Sequence, residues 1–118
     1  MDKALQLVKI ASEAMEDKKG EELKILDIRE ISSLADYFVI VNGKNKNQIQ
    51  AMCEDVEEKL GKSGFVIKHK EGFESADWIL MDYGDVVIHI FDRENREFYQ
   101  LDKIWGDAAV IDKGALEE

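Results

Sequence analysis

The stretch Asp77–Phe91, DWILMDYGDVVIHIF, decides how the chain folds. Two β-favouring runs, Trp78–Tyr83 and Val86–Phe91, flank Gly84-Asp85. A glycine at the first central position suits a two-residue type II′ turn, so the runs are expected to pair as an antiparallel hairpin. The turn then fixes the register. One face should carry the pairs Tyr83 with Val86, Met81 with Ile88 and Ile79 with Ile90, and it is almost wholly apolar. The other should pair Asp82 with Val87, Leu80 with His89 and Trp78 with Phe91. The first face reads as core. The second is too apolar for free solvent and too polar for a dry interior, and aromatic anchors ringed by polar groups are what protein interfaces concentrate. It is therefore a candidate contact surface, with a covering helix as the structural alternative.

Outward from the hairpin, composition limits what such a surface can meet. A chain of 118 residues holds one core. Charged residues make up 36% of it, above the roughly 25% of ordinary domains, so the surface is heavily charged. Asp and Glu outnumber Lys and Arg by 26 to 16, for a net charge of −10. Such a field repels a phosphate backbone and steers a basic protein toward it, which disfavours direct, sequence-specific nucleic-acid binding. Cys53 is the only cysteine, excluding an internal disulfide and a thiolate-rich zinc site. No run approaches the roughly 20 apolar residues of a membrane helix, and Asp2, Glu13, Glu16 and Asp17 near the start are unlike a targeting segment. The expectation is a cytoplasmic protein without a membrane partner.

Before the hairpin, Leu5, Val8, Ala11 and Met15 recur at helical spacing over Asp2–Lys18, with Leu7 and Ala14 widening the stripe and Gly20 as the expected stop. Leu23–Arg29 reads as a strand, and Tyr37–Val41 as an interior strand needing cover on both faces. Asn45 with Gln48 resembles a capping box, opening a helix from about Lys46 to Lys62 whose stripe is Ile49, Met52, Val56 and Leu60. Gly61 and Gly64 offer its exit, and Phe65–His69 reads as a further strand. After the hairpin, Asp92–Glu97 reads as a charged loop. Phe98–Trp105, with Tyr99, Leu101 and Trp105, is a strand start or short helix that closes the sheet or extends the candidate surface. The expected architecture is α/β: a mixed sheet of about five strands with flanking helices, forming one domain over 1–108 with a loosely ordered tail at 109–118.

Catalytic chemistry finds little footing. Asp77, Asp82, Asp85 and Asp92 lie near the hairpin, but its register scatters them, so turn-forming and solvated carboxylates are the better reading than a metal site. His69 and His89 have no ligand spacing to each other or to Cys53, and no Ser sits in a G-x-S-x-G elbow. Gly43-Lys44-Asn45-Lys46 lacks the P-loop and dinucleotide spacings. No catalytic residue, cofactor or metal is expected.

Taken together, SSLADYFVIVNGKNKNQIQAM (Ser32–Met52) and SADWILMDYGDVVIHIFDRENREFYQLDKIWGDA (Ser75–Ala108) closely resemble the bacterial ribosomal silencing factor family, also called the Iojap family. The likeness covers nearly the whole chain apart from its last ten residues. It implies a non-enzymatic translation repressor with a nucleotidyltransferase-like fold. Such a protein binds the large ribosomal subunit through its fourteenth ribosomal protein and sterically blocks the small subunit. It also implies a possible homodimer when free, and it places the contact around the hairpin. On that reading Trp78, Leu80, Asp82, Val87, His89, Phe91, Tyr99, Leu101 and Trp105 are the expected partner-binding residues. The rival readings are a homodimeric adaptor that buries the aromatic face against its own copy, and a nucleotide-binding protein of the same fold.

Overall fold

The computed structural model describes residues 2–99, 106 and 108–111, and the side chains of all of these except 98 and 99. Its elements run α1 (Lys3–Asp17), β1 (Glu21–Asp27), β2 (Tyr37–Gly43), α2 (Lys46–Lys62), β3 (His69–Glu71), β4 (Trp78–Asp82), β5 (Val86–Asp92), α3 (Arg93–Tyr99) and β6 (Ala109–Val110).

Helix α1 begins where the Asp2 carboxylate accepts the Leu5 N–H at 2.8 Å, and of its expected stripe Leu7, Val8, Ala11, Ala14 and Met15 are buried while Leu5 is half-buried at the core's edge. It ends in a Schellman turn, with the Lys19 N–H donating to Glu16 and the Gly20 N–H to Met15. The left-handed residue is Lys19 at φ 67°, not the expected glycine. Gly20 serves packing instead, since a Cβ there would lie 2.8 Å from Val41 Cγ2 and 2.9 Å from Met52 Sδ. Helix α2 buries Ile49, Met52, Cys53, Val56 and Leu60 and closes on the same motif with Gly64 at φ 90°.

The described strands form one mixed sheet in the order β3-β4-β5-β2-β1-β6. Its centre is the parallel pair β2 and β5, and every other pairing is antiparallel. Six strands thus stand where about five were expected. Strand β2 is buried along its whole length, as its unbroken apolar run requires. Helices α1 and α2 both lie on one face, over Tyr37, Val39, Val41, Ile79, Met81, Ile88 and Ile90. The opposite face at β2 is covered differently: Phe38 and Ile40 pack with Leu26, Ile28, Ala35 and Phe91, bordered by Trp78, Val87 and Ala108.

Two local expectations are corrected. The segment expected as a charged loop continues β5 to Asp92 and then forms α3, because the Asp92 carboxylate caps the helix by accepting the Asn95 N–H at 2.7 Å. The strand expected at Phe65–His69 starts at His69. Phe65 and Ile67 pack against the helical core without a ladder, while Val66 points to solvent. Of the stretch expected as a loose tail, Ala109–Val110 pair with β1 as β6, and 112–118 lie outside the described residues.

Candidate partner-binding surface

The hairpin register is the one its turn dictates: Trp78 opposite Phe91, Ile79 opposite Ile90, Leu80 opposite His89, Met81 opposite Ile88 and Asp82 opposite Val87. The Tyr83 N–H donates to the Val86 carbonyl, and Gly84 alone of the two turn residues has positive φ, at 92°, as a type II′ turn needs. The Ile79, Met81, Tyr83, Val86, Ile88 and Ile90 face is buried core.

The second face is layered. Phe91 and His89 are 1% and 4% exposed and form its floor, while Trp78, Leu80, Asp82 and Val87 are half-buried and reach the surface. The Trp78 indole stacks on Phe91 with ring centroids 5.0 Å apart. Its Nε1–H donates to His89 Nδ1 at 3.0 Å. The His89 ring also meets Phe38 edge-on at 4.8 Å, and burial pushes its pKa down to about 4, so the imidazole is neutral near neutral pH. Asp82 turns one carboxylate oxygen onto the Gly84 N–H at 2.7 Å. Beside it on β3, opposite Asp82 and Leu80, stand exposed His69 and Glu71, paired at 2.7 Å. The apolar surface is therefore fringed with acid on that side.

The expected contact residues thus divide. Trp78, Leu80, Asp82 and Val87 come together at the surface, and Phe91 and His89 lie beneath them. The Tyr99 side chain, Leu101 and Trp105 lie outside the described residues. Phe38 was not foreseen as part of this floor. Its place on the second face of β2 was readable from strand alternation, but the neighbour that β2 would take was not. Leu34, 73% exposed and just ahead of buried Ala35, is a further large apolar residue at the surface.

Several other polar groups serve structure. Asp92 caps α3, and the Asp85 carbonyl accepts the Asp36 and Tyr37 N–H groups. Among the described residues no three His, Cys, Asp or Glu gather as a metal site. Cys53 is wholly buried, and desolvation raises its pKa to about 11, so the thiol stays protonated. Buried Arg96 of α3 donates to the Glu22 carbonyl and to Asn42 Oδ1, while Arg93 pairs with Glu21 and holds that carboxyl below its usual range. These contacts fasten α3 across the ends of β1 and β2. Among the described residues no helix is long and apolar enough to cross a membrane.

The family described as "Ribosomal silencing factor during starvation" matches residues 1–118. The chain belongs to the ribosomal silencing factor family. Relatives of this family include the Bacillus subtilis protein named "Ribosomal silencing factor RsfS", 42% identical over 90% of each chain. The Zea mays protein named "Protein Iojap, chloroplastic" is 30% identical over 92% of this chain and 46% of its own length. A crystal structure from Chromobacterium violaceum superposes with a TM-score of 0.85 at 35% identity, covering 90% of this chain and 88% of that one. One from Bacillus halodurans gives 0.81 at 36% identity, covering 91% and 97%. The expected family and the expected α/β architecture of a mixed sheet with flanking helices both stand.

Proposed function

We propose that this chain is a non-enzymatic translation repressor of the cytoplasm. It docks the Trp78 face of its hairpin on a basic protein of the large ribosomal subunit, the fourteenth ribosomal protein on the family resemblance, and so keeps the small subunit away. The observation that carries this reading is the Trp78 indole, partly exposed on a buried floor of Phe91 and His89 in a chain that belongs to a family of ribosomal silencing factors. An aromatic side chain held rigidly at the surface loses little freedom on binding and excludes much water, which is how interface anchors work. Charge supplies selection. At −10 the chain is repelled by ribosomal RNA and drawn to basic protein, with Glu71 opposite Leu80 and Asp82 at the far end of β4 on the same face to meet Lys or Arg. Occupancy alone then does the work, set by affinity and concentration.

The test is sedimentation of purified subunits with and without the protein. Excess protein should leave the halves separate and travel with the large one, and normal joining in that excess refutes the proposal. Trp78→Ala should weaken large-subunit binding by about 2 kcal/mol or more, the range of an interface anchor, while the chain stays folded.

A further inference from the structure

We propose that His89 is a positioning residue: its Nδ1, held under the surface, accepts the Trp78 indole N–H and so sets the orientation in which Trp78 meets its partner. The inference rests on the docking role given to Trp78 above. It begins from an oddity of the floor. Because Nδ1 accepts from Trp78 at 3.0 Å, the neutral ring must carry its proton on Nε2. That Nε2 is buried and has no hydrogen-bond partner among the described residues. An orphaned buried donor destabilises a fold, and an apolar side chain of similar size would fill the site without that penalty. At the fold level the orphaned Nε2–H thus offsets what the Nδ1 bond to Trp78 contributes.

What histidine supplies and an apolar residue cannot is an acceptor facing the indole. The ring is itself fixed, opposite Leu80 in the hairpin, in contact with Phe38 edge-on and parallel to Phe91 within 10° at 6.3 Å. Stacking of Trp78 on Phe91 selects the plane of the indole, and the hydrogen bond selects which way its nitrogen points. Both torsions of the side chain are thus set before any encounter, which lowers the ordering cost of binding. Burial keeps the imidazole uncharged, so the acceptor persists at neutral pH.

The experiment compares wild type, His89→Leu, His89→Asn and Trp78→Ala in the full chain. It reads the thermal midpoint, the Trp78 indole N–H resonance and its exchange with solvent, and affinity for purified large subunits. The wild-type ring should show the Nε2-protonated tautomer by nitrogen chemical shift, and the opposite tautomer overturns the proposal without any variant. His89→Leu should melt no lower than wild type, release the indole N–H to fast exchange, and bind about three- to tenfold more weakly, the usual factor for ordering one side chain at an interface. His89→Asn, whose side-chain oxygen falls near the Nδ1 position, should restore the slow indole N–H and most of the affinity. If His89→Leu frees the indole yet binds as tightly as wild type while Trp78→Ala is impaired, positioning is refuted and docking survives. If Trp78→Ala binds normally, both fall.

Discussion

Gln48→Ala tests whether the helical layer is tied to the sheet at one side chain. Gln48 stands in the first turn of α2, where its Oε1 accepts the Lys44 N–H at 2.7 Å. Its Nε2 donates to the Lys18 carbonyl at 3.0 Å and the Lys19 carbonyl at 2.9 Å, both at the end of α1. Three bonds from one amide thus join the start of α2, the loop leaving β2 and the terminus of α1. Each contributes about 0.5–1 kcal/mol at a half-exposed site, where water partly replaces what is lost. Alanine returns a few tenths of a kcal/mol through helix propensity. The net expectation is a loss of about 1–2.5 kcal/mol, or roughly 4–10 °C in melting midpoint for a domain of this size. Urea denaturation followed by circular dichroism should show an earlier midpoint with an unchanged slope. Gln48→Glu sharpens the test, because a carboxylate keeps the Lys44 contact but turns an acceptor toward two carbonyls, and it should cost more than alanine. A loss below about 0.5 kcal/mol for Gln48→Ala, or Glu tolerated better than Ala, would refute this account.

Gly20→Ala should destabilise by about 1–3 kcal/mol, read from the same denaturation curves, because the added methyl meets Val41 and Met52 at under 3 Å. Stability should also fall on acidification. The unfolded His89 imidazole takes its proton near 6.5 while the folded ring resists until about 4, so the unfolded state gains protons first. Between about pH 7.5 and pH 5 this removes roughly 2 kcal/mol, and His89→Leu should flatten the curve there. The lowered carboxyl of Asp27 acts at more acid pH, below its ordinary 3.8.

Much of this structure is written in local periodicity. The hairpin register followed from Gly84-Asp85 and a period of two, and the buried stripes of α1 and α2 from a period near 3.6. What escaped was non-local or hidden behind charge. Nothing in β2 or β5 names the other as its parallel partner, so the sheet order and the meeting of Phe38 with His89 were not legible. Asp92–Glu97 looked like a loop because its charges mask an N-cap whose acceptor is itself an acid. Gln48 was legible as a cap residue, but its amide reaches back to carbonyls about thirty positions away. At the surface, period two gave the residues of the face but not their depth. Phe91 and His89 became floor because Trp78 folds over them, a matter of rotamer rather than of sequence alternation.

The borders of the sheet bear on how such a protein can accumulate. Among the described residues, β3 offers three exposed residues on one side, His69-Lys70-Glu71, and β6 offers two on the other. Borders this brief, and on the β3 side this polar, give a passing strand little ladder to extend. The proposed blocking by occupancy requires the protein in numbers comparable with its target. Short edges of this kind favour such numbers by limiting backbone-to-backbone pairing between copies.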